Sequence, residues 1–395
     1  MKLILGADPL LMPLTGIGHY TKNLAKAIVK RKALESVDFY AHGHFFDPVT
    51  LLKPDDPKPN SDTHKNTAKT KSAIQKIREK AANITIVVKI YAVISVYLDK
   101  IRLNGKVPTN TLFHSPNFIL PAFKGKCVVT IHDLSTVRFP QYHPSARVAY
   151  INSQIKKSVK YAAHIVTDSE FIKAELIERY NLSHDFVTAI HLGVDENYKR
   201  RDEQEVIDTL NEHGLHYKQY FLFVSTIEPR KNIVSILDAY EAYYQNTTSP
   251  QPLVLVGGNG WHNEDIMQRI NLLKEKGVMY LGYVSQAQIP ELFSGAQSLV
   301  FPSIYEGFGL PVIEAQASGV PVLTSKNSSM SEVVDKYDVE VDPLDVDDIY
   351  RGLQKISRIT IPDSHNCKRR TWEDVADDYL SLYKRVLNKP STPDQ

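Results

Sequence analysis

The 395 residues suggest two or three domains of ordinary size. With 43% hydrophobic and 23% charged residues, the chain is neither disordered, collagenous nor a heptad rod. A formal net charge of +2 argues against a dedicated nucleic-acid binder, and two distant cysteines, Cys127 and Cys367, exclude a disulfide framework or cysteine-rich zinc site and fit a reducing compartment.

The start, MKLILGADPL, holds only Leu3, Ile4 and Leu5 before Gly6, too short an apolar run for a secretory signal, so no export is expected. No stretch of about 18 uninterrupted apolar residues predicts a spanning helix. Short apolar, β-branched runs predict buried strands at 2–5, 127–131, 164–167 and 187–192, then at 221–225, 253–256, 278–281, 298–301 and 320–324. Helical spacing predicts helices over 20–32, 170–180 and 233–244. Strands alternating with helices imply α/β domains with parallel, doubly wound sheets. The charged stretch Tyr198–Glu205 divides the two strand series. The expected organisation is therefore an N-terminal domain over 1–198, a C-terminal domain over 199–370, and a closing helix within 371–395 that crosses back to the first domain.

One region departs from the alternation. Residues 53–63 are proline-rich and polar, and 64–106 carry ten Lys/Arg against two acids around the apolar run 84–98. This insertion reads either as a core element with solvated basic flanks or as a segment meeting an anionic membrane surface.

Four motifs can carry chemistry. The run Glu306-Gly307-Phe308-Gly309-Leu310-Pro311-Val312-Ile313-Glu314 follows a strand and opens a helix. Its glycines let backbone approach a ligand, Pro311 suits a first helical turn, and free N–H groups at the helix start suit phosphate. The two acids suit sugar hydroxyls; the competing reading is a glycine turn with one acid as a helix cap. Arg230 and Lys231 follow another strand and can neutralise a diphosphate, Arg230 as a fork and Lys231 as a point charge. Gly16-Ile17-Gly18 lacks the third glycine of a dinucleotide fingerprint and reads as a small-residue loop beside the substrates, or as a plain tight turn. His132-Asp133 sits at a strand's carboxyl end, where open α/β sheets place their sites, and reads as a sugar contact or as a turn with a capping aspartate.

Together with Leu281-Gly282-Tyr283-Val284, Phe301-Pro302-Ser303 and Ala315-Gln316-Ala317-Ser318-Gly319-Val320-Pro321, these motifs resemble retaining glycosyltransferase family 4. The resemblance is dense over about 219–345. It is thinner in the first half, on Gly16-Ile17-Gly18, His132-Asp133 and His191-Leu192-Gly193-Val194-Asp195. It implies the GT-B fold, two Rossmann-like doubly wound domains facing a central cleft, and a nucleotide-sugar donor held mostly by the second. Arg230 and Lys231 would then bind the diphosphate, Glu314 the ribose, and Glu306 the donor sugar. Gly307, Phe308, Gly309 and Leu310 would touch sugar and phosphates, and His132 the sugar near the acceptor. Gly16 and Gly18 would line the diphosphate and acceptor side, and Tyr283 and Val284 the base. The resemblance implies retention at the anomeric carbon and no metal or other cofactor; Asp345-x-Asp347 reads as a helix cap. Within the family, His132 through Pro144 looks most like O-antigen mannosyltransferases. The expected reaction is transfer of mannose from GDP-mannose, with UDP-sugars open, to a lipid-linked oligosaccharide acceptor at the inner face of the cell membrane. An epimerase of the same architecture and a catalytically silent scaffold are the competing functions.

Overall fold

The computed structural model describes residues 1–11, 16–52, 101–103, 110–365, 367 and 369–389. The insertion at 64–106 lies outside the described residues except for 101–103, and so does the membrane reading attached to it. Among the described residues, no helix is long and apolar enough to cross a membrane.

Thirteen strands are named here in chain order: β1 (Lys2–Gly6), β2 (Ser36–Ala41), β3 (His44–Phe46), β4 (Thr111–Ser115), β5 (Lys126–Thr130), β6 (His164–Thr167), β7 (Val187–Ala189), β8 (Phe221–Val224), β9 (Leu253–Val256), β10 (Val278–Gly282), β11 (Ser298–Phe301), β12 (Val322–Ser325) and β13 (Val339–Val341). One sheet has the order β3-β2-β1-β4-β5-β6-β7, the other β10-β9-β8-β11-β12-β13. β1 pairs in parallel with β2 and β4, β4 with β5, and β6 with β7; the short β3 runs antiparallel to β2. Every pair in the second sheet is parallel. Numbered within itself, that sheet reads 3-2-1-4-5-6, the Rossmann order, whose switch point falls between β8 and β11. β9, β11 and β12 are buried along their whole length, which explains why their sequences are unbroken apolar or small runs.

Contacts group the described residues into two units. The first takes those within Met1–Val129, Lys160–His164 and Leu380–Gln395; the second takes Thr130–Val159 and those within Ile165–Tyr379. In the first unit, the last turns of the helix Trp372–Asn388 are fastened by side chains from the sheet. Tyr383 Oη lies 2.6 Å from Nδ1 of the buried His114 on β4, and Lys126 Nζ donates to the carbonyls of Val386 and Leu387 at 3.0 and 2.9 Å. A lysine on the terminal carbonyls satisfies groups that a helix end leaves free and suits its negative pole.

One expectation changes. Gly16 and Gly18 stand in the first turn of a helix, Gly16–Lys30, not in a loop. The helical pattern of Leu24, Ala27 and Ile28 extends one turn further back, because glycine is tolerated where a helix begins. At the charged boundary, Asp202 and Glu205 form a reciprocal capping box that starts a helix at Glu203.

Candidate active site

The second unit brings together nearly all the candidate side chains, and the switch point explains how. Chains leaving the carboxyl ends of β8 and β11 diverge there, which leaves space above the sheet edge for the loops that follow. After β8 come Glu228 and the short turn Pro229–Lys231, then Asn232 in the left-handed region at φ 63°. The Asn232 amide donates to the carbonyls of Pro302, 3.0 Å, and Pro343, 2.6 Å, and Ile304 N donates to Arg230 O at 3.0 Å. These bonds tie the cationic turn to the segment leaving β11.

Arg230 and Lys231 converge on one carboxylate. Arg230 donates to Glu306 Oε2 at 3.0 Å, to the Tyr305 carbonyl at 2.6 Å and to Glu228 Oε1 at 2.9 Å. Lys231 donates to Glu306 Oε1 at 2.6 Å. Burial alone would raise the Glu306 carboxyl, but the Lys231 and Arg230 charges outweigh it and hold it below the usual range. Lys231 is drawn down by burial and by the neighbouring guanidinium. A loop lysine in sequence, Lys231 is only 8% exposed, so its charge is a structural partner as well as a candidate ligand for phosphate.

The glycine turn is fitted against the segment after β5. A Cβ on Gly307 would lie 2.1 Å from the His132 carbonyl oxygen, which no side chain tolerates. Gly309 adopts φ 107°, and a Cβ there would meet Met330 at 2.7 Å. Ser169 Oγ donates to Gly307 O, and Ser329 Oγ to Glu306 O, each at 2.7 Å. Phe308 is buried with its ring 5.3 Å from that of His191, whose Nε2 lies 2.8 Å from Glu332. Leu310 and Pro311 then open the helix Leu310–Ala317. Tyr305 Oη accepts from Leu134 N at 3.2 Å and donates to Glu175 at 2.5 Å, a second tie between the two segments.

His132 Nδ1 is 2.6 Å from Asp168 Oδ2, both groups buried. Asp133 accepts from Ser135 N at 2.8 Å; burial would raise it, and the Arg230 charge, with that bond, brings it below its ordinary range. Glu314 is half-buried and faces Tyr198. Burial first, then repulsion by Asp195, lifts its carboxyl to about 8 against the opposing Tyr198 bond. Val284 is buried, whereas Tyr283 is 71% exposed after Gly282, which takes φ 66°. Gly16 and Gly18 belong to the first unit.

Sequence reasoning missed Glu228, Asp168, Ser169 and the loop Gly257-Gly258-Asn259-Gly260-Trp261. A Cβ on Gly257, at φ 147°, would lie 1.9 Å from Ser225 O, and Ile227 N donates to Gly258 O at 2.9 Å. Trp261 Nε1 donates to Tyr142 O at 2.6 Å, with the Arg147 guanidinium 5.1 Å from the ring and His143 beside it. The available signal was glycines placed directly after the carboxyl end of β9. Among the described residues, one group of donors lies close enough for a metal, Asp335, His365 and Cys367. Asp335 Oδ2 already takes the Cys367 thiol at 2.8 Å and His365 at 3.3 Å, and Arg369 stands 3.6 Å away. A guanidinium on the same oxygen opposes a cation there. Asp345 accepts from Asp347 N and Asp348 N and so caps the helix Val346–Ile356.

Residues 14–198 match the model of Glycosyltransferase Family 4, and 208–373 that of Glycosyl transferases group 1. The chain is 30% identical over 392 residues to O-antigen chain mannosyltransferase B of Escherichia coli, covering 97% of this chain and 100% of that protein. It is 27% identical over 263 residues to the O-antigen chain mannosyltransferase RfbU of Salmonella typhimurium, covering 66% and 68%. The crystal structure of Anabaena Alr3699/HepE with UDP and glucose superposes with a TM-score of 0.64 at 15% identity, over 97% and 99% of the two chains. That of WaaG, a glycosyltransferase involved in lipopolysaccharide biosynthesis, gives 0.60 at 13%, over 98% and 99%. These likenesses extend to both Rossmann-like sheets, as the GT-B expectation requires. With both family models matched in tandem and an O-antigen mannosyltransferase aligned end to end, this chain belongs to the group 1 and family 4 glycosyltransferases.

Proposed function

We propose that the protein is a retaining, metal-independent mannosyltransferase that moves mannose from GDP-mannose to a lipid-linked glycan in O-antigen assembly. The observation that carries the reading is the convergence of Arg230 and Lys231 on Glu306 at the switch point, beside a glycine turn packed on His132. On binding, the donor diphosphate takes the place of the Glu306 carboxylate on the two cations, and the N–H groups opening the helix Leu310–Ala317 add to it. Glu314 receives the ribose hydroxyls, and Glu306 and His132 face the sugar. The bond from the anomeric carbon to the phosphate oxygen breaks as the acceptor oxygen attacks from the same face. The departing oxygen takes the acceptor proton, so no enzyme carboxylate serves as base.

The mannosyl donor is supported by the two O-antigen relatives; the UDP in the HepE structure keeps uridine donors in the test. We assign residues 1–198 to the acceptor and 199–370 to the donor, with the protein peripheral at the cytoplasmic face of the membrane. Purified protein is titrated with GDP and UDP by calorimetry, then assayed with labelled GDP-mannose and UDP-sugars on lipid-linked GlcNAc acceptors. Mannose transfer with the anomeric configuration kept and with chelator present is the expected result. Donor consumed in water alone would identify an epimerase, and absence of nucleotide binding a scaffold.

A further inference from the structure

Asp168 follows β6 directly and has no part in the reaction as assigned so far. It is 3% exposed, its Oδ2 lies 2.6 Å from His132 Nδ1, and its Oδ1 has no hydrogen-bond partner among the described residues. An ionised carboxylate only accepts, so the proton between the two groups sits on Nδ1. In a neutral imidazole this leaves Nε2 as an acceptor, the reverse of the form a free histidine side chain favours. The ring is also fixed in place. Its own carbonyl is packed on Gly307, and Ser169, the residue after Asp168, donates to the Gly307 carbonyl while accepting from Ile172 N at 3.2 Å. Asp168 and the glycine turn therefore hold His132 from two sides.

We propose that Asp168 is a positioning residue that fixes the Nδ1–H tautomer of His132, so that Nε2 accepts a hydrogen bond from a hydroxyl of the transferred sugar. The contact with the sugar rests on the proposed function; the tautomer does not. The charged and titratable groups facing Asp168 are His132, Asp133 and His191. Burial raises the Asp168 carboxyl above its ordinary value, and the charge and hydrogen bond of His132 oppose that rise.

Nitrogen-15 spectra of histidine-labelled protein at pH 8, with the His132 signals assigned through His132→Gln, test the first half without any substrate. Wild type is expected to show a protonated Nδ1 and an unprotonated Nε2, and Asp168→Ala the reversed pair. A wild type already protonated at Nε2, or a variant that keeps Nδ1–H, overturns the proposal. Kinetics test the second half. Asp168→Ala is expected to lower kcat/KM by about 10- to 100-fold, by analogy with metal-bound histidines that lose their hydrogen-bonded partner, with GDP affinity held within about twofold. In a His132→Gln background the same change is expected to cost nothing further. Additive losses would mean that Asp168 acts elsewhere and would overturn it. Asp168→Asn, of equal size, is carried through the same spectra and kinetics should the alanine variant fail to fold. A wild type that transfers no sugar yet shows the Nδ1–H form would sink the sugar contact and leave the tautomer standing.

Discussion

Two cations on one carboxylate make Lys231 both a ligand candidate and a brace. Its replacement by alanine leaves Glu306 buried with Arg230 alone. The expected cost is about 3 kcal/mol, the low end for breaking a buried pair, because the guanidinium keeps the other oxygen. Transfer is expected to fall as well; urea unfolding and saturation kinetics measure the two, and an unchanged midpoint with unchanged turnover would contradict the pairing. Glu314 makes a pH claim. Its folded-state carboxyl titrates near 8 against an ordinary 4.5, so the native state binds the extra proton and stability declines as pH rises between those values. A ribose diol donating to the carboxylate needs the ionised form, so nucleotide affinity is expected to climb with pH up to about 8 and then level, with proton release on binding. Calorimetry in two buffers of different ionisation enthalpy detects the proton; Glu314→Gln is expected to abolish both the release and the slope.

Among the elements, the glycine turn has the least room to vary. Gly307→Ala forces a methyl into the His132 carbonyl, so the turn or the segment after β5 has to shift. Overpacking of this kind costs about 1–3 kcal/mol, and here it displaces the acids at either end of the turn. A lowered melting temperature together with weakened nucleotide binding is expected; wild-type values for both would mean that the close approach does not exist in solution. This turn was legible in the sequence because glycine, proline and acid each carry a distinct backbone or charge requirement at fixed spacing. The His132–Asp168 pair was not, since 36 residues separate its members and only the neighbouring strand ends bring them together. The rule that sites gather at strand carboxyl ends pointed to His132 and was not carried to Asp168, although both follow predicted strands. Strands that escaped notice share a cause. β2 carries Asp38, β4 buries His114 and Ser115, and β13 is three residues long with Glu340 exposed, so none reads as an apolar run.

At the scale of the whole chain, both sheets were foreseen from alternation, while the fastening of the C-terminal helix in the first unit was seen only in atomic detail. Tyr383→Phe removes its bond to His114 and is expected to cost about 1–2 kcal/mol in chemical denaturation, as a lost buried hydrogen bond does. Nucleotide affinity measured on the same variant is expected to be unchanged, since Arg230, Lys231, Glu306 and Glu314 belong to the second unit. The carboxylate bridging Arg230 and Lys231 has a further effect on what the protein will ignore. Under the proposed function, Glu306 is a tethered anion that any incoming phosphate has to evict, and a small free oxyanion gains only the helix-opening N–H groups in exchange. A sugar nucleotide brings a ribose, a base and a hexose to offset the eviction. On the proposed function, this built-in competitor is expected to turn away inorganic phosphate at concentrations where nucleotides still enter.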